Sequence, residues 1–277
     1  MKSIGLLGLF FCAVAAGGWY FFLRDDSPSA QAVLTEIRKT LPEDQDVEMS
    51  LSGCHFSLNA KTHIPATSQT EGAKAQLALS RVEADLSLFR PDRANIRPIA
   101  GNRAVLTLET KPISQDTLLQ AEALVQRAHE SMPPKEQGTL IMLPNSGGQI
   151  THTPLEMHAD QAKQRQALQK MLEQPNSQLT FRLSSMVKIS QEGEAPPPVK
   201  PHEDAPKFHA FAQDLLADAA FTNYALTLLY LSETPRADTL LTGLIAFPPR
   251  LQFAVASEEG AKRLAQSMLG YMTANCD

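Results

Sequence analysis

The sequence lacks the short motifs that mark common catalytic sites. It has no Gly-x-Ser-x-Gly turn, and it has no Ser-x-x-Lys sequence in a setting suited to a penicillin-binding enzyme. The glycine pair within residues 145–150 is not flanked by both the strand and the helix that a phosphate-binding loop needs. Adjacent carboxylates such as Glu258 and Glu259 begin a helix, whereas general acid–base catalysis needs groups that converge from different elements. These absences favour a non-catalytic protein, and we predict no cofactor.

Metal-binding patterns are absent as well. No second cysteine lies near Cys54, so a zinc site built on it would need ligands gathered by the fold. His152 and His158 are six residues apart, a spacing that places them together on neither a helix nor a strand. We therefore predict no metal site.

Clustered positive charge is also absent. The chain has 25 Lys and Arg against 30 Asp and Glu, for a formal net charge of -5, and its basic residues are scattered. A nucleic-acid-binding surface would concentrate them, so we predict no nucleic-acid partner. A hydrophobic content of 43% with 20% charged residues is ordinary for a globular protein and argues against wholesale disorder.

One long uncharged run, residues 4–23, dominates the start of the chain. Its 20 residues span about 30 Å as a helix, which is the thickness of the hydrocarbon core of a bilayer. Trp19 and Tyr20 lie near one end, where aromatic side chains favour the membrane interface. We predict that residues 1–26 form a retained N-terminal membrane anchor, one transmembrane helix.

Two other interpretations of this run stay open. Ala13 and Ala15 fit the small-x-small rule of a cleaved signal, although cleavage there would leave an exposed apolar end on the mature protein. Cys12 suggests a lipid-modified cysteine, but two bulky residues, Phe10 and Phe11, precede it. The length of the run favours the anchor over both.

The charges that flank the run predict its orientation. Lys2 and the terminal amine lie on the short side, so the positive-inside rule places that side in the cytoplasm. We expect a single-pass inner-membrane protein with most of its chain in the periplasm or another extracytoplasmic space. Cys54 and Cys276, the two cysteines beyond the run, fit this location because a pair in an oxidising compartment can form a disulfide. The alternative is two unrelated thiols.

Beyond the run, we predict an α+β fold with a curved antiparallel sheet and packed amphipathic helices. Apolar residues occupy odd positions before Gly53 and even positions after it, and a bulge there would restore a common face. Residues 75–88 show the same change at Ser80 and Arg81, which favours two paired strands that bend together. Residues 103–111 give a third strand, and the polar residues 90–102 are predicted to be a loop.

Helix starts and a proline-rich segment divide the rest of the chain. Capping residues predict helices that start after Ser27, Ser114, Thr153 and Ser257. We predict an α+β domain at 27–192, a proline-rich linker or loop at 193–206, and a C-terminal part at 207–277 that packs on the preceding domain.

Three functions follow from this organisation. The first is a non-catalytic interaction or scaffold protein of the cell envelope, because a membrane anchor raises the effective concentration of the domain for partners at that surface. The second is binding or transfer of lipid, or of another hydrophobic ligand, by the curved sheet, with a trough lined by Phe56, Leu77, Leu79, Leu86 and Leu88. The third is an enzyme whose site is dispersed along the chain.

Overall fold

The computed structural model describes residues 27–41, 45–64, 76–131, 140–144, 150–155, 158, 160–173, 177–184, 203–230 and 240–276. The predicted transmembrane helix within residues 1–26 lies outside these ranges, as does most of the predicted linker at 193–206. Within them, no helix is both long enough and apolar enough to span a membrane.

The described residues form five α-helices and eleven β-strands. The helices are α1 (Ala30–Arg38), α2 (Gln115–Ser131), α3 (Gln161–Leu172), α4 (Ala205–Ala217) and α5 (Glu258–Asn275). The strands are β1 (Asp46–Ser52), β2 (His55–Ile64), β3 (Gln76–Asp85), β4 (Phe89–Ile99), β5 (Arg103–Thr110), β6 (Leu140–Pro144), β7 (Ile150–Pro154), β8 (Gln178–Ser184), β9 (Tyr224–Tyr230), β10 (Leu240–Phe247) and β11 (Gln252–Val255). A 3-10 turn, Leu86–Leu88, separates β3 from β4.

The strands form two antiparallel sheets. The larger has the order β1-β2-β3-β9-β10-β8-β6-β7, and the smaller has the order β11-β5-β4. Strands β9 and β10, which follow the predicted linker in sequence, lie in the middle of the larger sheet. The predicted α+β class with antiparallel sheets is confirmed.

Apolar side chains form two cores. The first core packs helices α2, α3 and α4 on β8, β9 and β10, and its largest fully buried side chains are Phe181, Phe208, Phe211, Tyr224, Tyr230 and Phe247. The second core joins α1 and α5 to the smaller sheet and to the ends of β1, β2 and β3, and its largest fully buried side chains include Ile37, Phe56, Leu86, Phe89, Leu106 and Leu108. Burial of such side chains is the main stabilising contribution to both cores.

The change of alternation at Gly53 is a hairpin turn, and the predicted bulge is wrong. Ser52 pairs with His55, so Gly53 and Cys54 form a two-residue turn between β1 and β2. Gly53 has φ +53°, a left-handed conformation that glycine adopts without the steric cost of a Cβ atom. The chain reverses there, and Leu51 and Phe56 become cross-strand neighbours in the second core.

The change of alternation at Ser80 and Arg81 has a different origin. Strand β3 pairs with β2 in one continuous register and is not interrupted. Leu79 contacts the first core, whereas Val82 and Ala84 contact the second. Because odd and even residues of a strand point to opposite faces, the two cores lie on opposite faces of β3.

The predicted loop at 90–102 is also wrong, because most of it forms strand β4. The predicted third strand does exist as β5, but it pairs with β4 and β11 in the smaller sheet. Gly101 and Asn102, with φ +78° and +62°, make the turn between β4 and β5. Polar residues dominate β4 because it is an edge strand with much of its length exposed.

The observed helix starts agree in part with those predicted from the sequence. Ser257 caps α5, as predicted, with its hydroxyl accepting a hydrogen bond from a backbone N–H of the first turn. At α1 the cap is Ser29 and not Ser27. A helix does follow Thr153 and ends near Glu173 as predicted, but its predicted start is wrong, since Thr153 lies in β7 and α3 begins after the cap residue Asp160.

Candidate functional site

Cys54 and Cys276 lie at disulfide-bonding distance. Their Cα atoms are 5.3 Å apart, within the usual range for a disulfide. Cys54 lies in the β1–β2 turn and Cys276 caps the end of α5, so the pair links positions 222 residues apart in sequence. Beside it, the Tyr271 hydroxyl donates a hydrogen bond of 2.7 Å to the Gly53 carbonyl oxygen. The last helix is thus held against the first hairpin at two adjacent points.

The five side chains predicted to line a lipid trough pack against two different cores. Phe56 and Leu86 are 1% exposed and belong to the second core, and Leu88 packs against it. Leu79 packs against the first core, and Leu77, two residues away on the same face of β3, is 6% exposed. The structure therefore does not bring these five side chains together in one groove.

Histidines do not converge on a metal-binding arrangement in the described part of the chain. Those residues contain no group of three or more His, Cys, Asp or Glu side chains that could hold an ion. His209 lies in α4 with its Nδ1 atom 3.2 Å from the Tyr230 hydroxyl. Burial lowers the pKa of His209 and raises the pKa of Tyr230 to about 12, so both groups favour their neutral forms.

One face of strands β1 and β2 is polar, together with the end of β3 that carries Arg81 and Glu83. It lies opposite the second core, and paired residues bring its side chains together across the three strands. We call it the polar face, and it consists of Asp46, Glu48, Ser50, Ser52, His55, Ser57, Asn59, Lys61, Arg81 and Glu83. The β1 side chains of this face are exposed, whereas Glu83 on β3 is buried.

A hydrogen-bonded carboxylate organises the inner part of the polar face. The Glu83 side chain is only 8% exposed, and its Oε1 atom accepts hydrogen bonds from Arg81 Nε at 2.8 Å and from Ser57 Oγ at 3.2 Å. Its Oε2 atom lies 2.9 Å from Nε2 of His55, whose side chain is 43% exposed. These hydrogen bonds to both oxygens of the Glu83 carboxylate compensate for the free-energy cost of burying it.

This geometry does not suit nucleophilic catalysis. The Ser57 hydroxyl donates to Glu83 and not to an imidazole, so His55 does not act as its base. Both oxygens of the Glu83 carboxylate are already engaged by the side chains of Ser57, Arg81 and His55. The network instead fixes the positions of His55 and Arg81 on the surface of the sheet.

The outer border of the polar face is an open sheet edge. Strand β1 ends the larger sheet, and β2 is its one strand partner among the described residues. Asp46 and Glu48 are exposed there, and neither forms an ion pair with another described residue. An edge strand of this kind presents backbone N–H and C=O groups to which a further strand can bind.

Sequence reasoning missed the polar face, although half of its signal is visible. His55, Ser57, Asn59 and Lys61 alternate with the apolar residues of β2, which is the pattern of a strand covered on one side only. The partner of His55 is Glu83, which lies 28 residues further along the chain. That contact depends on the register between β2 and β3, which a single sequence does not give.

Neither a family model, nor a curated protein, nor a solved structure matches this chain. Its function is therefore inferred from the geometry of the polar face and the chemistry of the residues around it.

Proposed function

We propose that this chain is a single-pass membrane protein whose folded part lies outside the cytoplasm and binds an envelope protein without catalysing a reaction. The uncharged residues 4–23 support the membrane anchor. The cysteine pair at disulfide-bonding distance supports an oxidising compartment, such as the periplasm.

The observation that carries the binding role is the open edge of β1 beside the polar face. Seven residues of β1 leave one side of the strand available among the described residues, which is enough length for β-strand addition. Added strands gain affinity from backbone hydrogen bonds and specificity from the side chains on each face. Both contributions are available at this edge.

Charge indicates the chemistry of the partner. Asp46 and Glu48 are exposed on the polar face next to the edge; Lys61 lies opposite Asp46 on β2 and Asn59 lies opposite Glu48, but neither carboxylate forms an ion pair with a described residue. Opposite charges directly across two strands contribute about 0.2–1 kcal/mol for each pair. We infer that the partner contributes an extended segment with Lys or Arg at alternate positions.

The position of β1 relative to the apolar run fits an interaction at the membrane surface. Six residues separate the end of that run at Leu23 from the start of α1 at Ala30. Helix α1 contacts β1, and Arg38 near its end donates hydrogen bonds to the Gln45 carbonyl just before β1. A retained anchor would therefore keep the open edge close to the membrane and to partners there.

Site-specific photocrosslinking in cells tests the partner proposal. A photoreactive residue at Ser50 of the full chain is expected to form an adduct that maps to an extended, basic segment of an envelope protein. The substitutions Asp46→Lys and Glu48→Lys, made together, are expected to reduce this adduct because they replace the attracting charges with repelling ones.

Gln166, an exposed residue on α3, provides the matched control position. A photoreactive residue there is expected to give no adduct with the same protein. Equal adducts from Ser50 and Gln166, or adducts from Ser50 only with a second copy of this chain, would contradict the proposed mode of binding.

Cell fractionation tests the anchor separately. The full chain is expected in the membrane fraction, and a chain lacking residues 1–26 is expected in the soluble fraction of the compartment in which it is made. A natural protein that begins near Ala16 and is recovered in the soluble fraction would exclude the anchor, whatever the crosslinking shows.

A further inference from the structure

Three residues of β1 direct their backbone groups toward the open edge. Ser52 and His55 close the two-residue turn after β1, so they form a hydrogen-bonded pair, and such pairs alternate along antiparallel strands. The N–H and C=O groups of Val47, Met49 and Leu51 therefore point away from β2. A strand added at this edge would bind these groups and place its side chains alternately on the polar face and on the opposite face.

Helix α1 lies beside that opposite face, next to β1. The side of α1 that carries Ala32 and Glu36 lines a groove shared with α5. Another side carries Arg38, which donates hydrogen bonds to the Gln45 carbonyl oxygen just before β1. Leu34 lies one helical turn before Arg38 and therefore on the same side. This side of α1 faces β1, in agreement with the contacts between the two elements.

Leu34 and Val47 lie at the same height along α1 and β1. Pro28, just before α1, lies beside Gly270 near the end of α5, and the cysteine pair joins the turn after β1 to the same end. The helix and the strand therefore run in opposite directions. From the contact between α1 and Gln45, Leu34 lies about 6 Å back along the helix, and Val47 lies about 7 Å forward along the strand.

Half-buried apolar side chains consequently line one side of the open edge. We call them the apolar ledge, which consists of Leu34 on α1 and of Val47 and Met49 on β1. Leu34 and Met49 pack against the second core, yet all three side chains keep part of their surface exposed. Covering this surface with further apolar side chains would remove it from water and favour binding.

We propose that the segment bound at β1 alternates Lys or Arg with large apolar residues such as Val, Ile or Leu. This inference rests on the proposed strand addition and supplies the second half of its specificity. The basic side chains face Asp46 and Glu48 on the polar face, and the apolar side chains cover the apolar ledge. A basic segment without apolar residues leaves the ledge exposed and binds more weakly.

Binding of short peptides to the full chain in a nonionic detergent tests this inference. The probe is an end-blocked peptide of alternating Lys and Val, which begins and ends with Lys and matches the 7 residues of β1. One control peptide replaces every Val by Ser, and another replaces every Lys by Glu. Fluorescence anisotropy is expected to show saturable binding of the Lys–Val peptide, with both control peptides binding at least about tenfold more weakly.

Variants of the ledge identify where the peptide binds. Leu34→Gln is expected to weaken binding of the Lys–Val peptide by about threefold or more and to leave the weaker Lys–Ser binding unchanged. Leu119→Gln makes the same chemical change on α2, where Leu119 is 51% exposed, and should leave both affinities unchanged. Val47→Thr keeps the branched shape of the side chain, so it tests the ledge with little effect on folding, and about twofold weaker binding is expected.

Equal binding of the Lys–Val and Lys–Ser peptides would overturn this inference and leave the basic partner intact. Equal binding of the Lys–Val and Glu–Val peptides would overturn both the inference and the charge proposed for the partner. An equal loss of affinity in Leu34→Gln and Leu119→Gln would also overturn the inference. So would the absence of saturable binding up to about 5 mM of the Lys–Val peptide, and the adducts from Ser50 would then decide separately on the proposed function.

Discussion

The two cores differ in how the chain assembles them. Every buried residue of the first core lies between Leu118 and Phe247, in one continuous part of the sequence. The second core combines residues between Val33 and Leu108 with residues between Leu251 and Met272. The first core also includes residues on both sides of the predicted linker, such as Phe181 and Phe208. The middle of the chain thus supplies one core, and its two ends supply the other.

This difference explains where the cysteine pair lies. Bringing distant segments together loses more chain entropy than closing a short loop, so the second core has the larger entropic penalty to offset. Cys54 and Cys276 both pack against the second core and link its two segments. The first of these segments carries both the polar face and α1, the helix that follows the predicted anchor, so the candidate interaction surface depends on this closure.

Removal of the cysteine pair should have the largest effect and should fall on the second core. On the chain-entropy model, a cross-link across 222 residues stabilises a protein by about 5 kcal/mol. We expect Cys54→Ser with Cys276→Ser to lower the free energy of unfolding by up to about this amount under oxidising conditions. Hydrogen exchange should accelerate more in α5 than in β9 and β10, which belong to the first core.

Cys12→Ser is the matched control, because it makes the same substitution outside the pair. Its unfolding midpoint is expected to equal that of the unaltered protein. If both Cys54 and Cys276 react with maleimide in protein isolated without reductant from its native compartment, the two residues are free thiols and this explanation of the second core is wrong.

Gly243→Ala should disrupt the first core by overpacking. A Cβ atom at Gly243 would lie 2.2 Å from Cε1 of Phe208, a ring that is 2% exposed and held by its neighbours. Adding a methyl group to a well-packed core destabilises a protein by about 1–3 kcal/mol. We expect a loss in that range, measured by denaturant unfolding, with faster hydrogen exchange in β9 and β10 than in α5.

Phe208→Leu tests the cause of that loss. Leucine leaves room beside residue 243, so the double variant should be more stable than the sum of the two single effects predicts. Strict additivity would show that the Gly243→Ala effect does not arise from contact with the Phe208 ring.

The two cores also show what the sequence could and could not predict. The periodicity of β3 and of the helix after Ser257 identified these elements, because local alternation and capping depend on nearby residues. The two changes of alternation look alike in the sequence but have different causes. At Gly53 the chain reverses, and at Ser80 the strand passes between cores on opposite faces.

Contacts between residues that are far apart in the sequence also limited how much of the candidate site could be predicted. The two cysteines were identified by elimination, since they are the only two beyond the apolar run. The contacts of Glu83 with His55 and with Ser57 join residues that are more than 25 positions apart. A single sequence contains no physical signal for such a strand register.

Lowering the pH should destabilise the first core selectively, and this is the smallest of the predicted effects on stability. Burial lowers the pKa of His209 below its usual value of 6.5, so the unfolded chain takes up a proton as pH falls through 6.5 while the folded chain still resists it. The contribution of neutral His209, which contacts the Tyr230 hydroxyl, is therefore complete above pH 6.5 and declines below it because the unfolded chain gains the proton first. His209→Gln should remove this part of the pH dependence of the unfolding midpoint between about pH 7.5 and 5. The control is His63→Gln, at an exposed position of β2, which should leave that part unchanged.

An equal pH dependence in both variants would place the acid-sensitive group elsewhere. A difference between them would show that different treatments destabilise the two cores: protonation destabilises the first, and reduction of the cysteine pair destabilises the second.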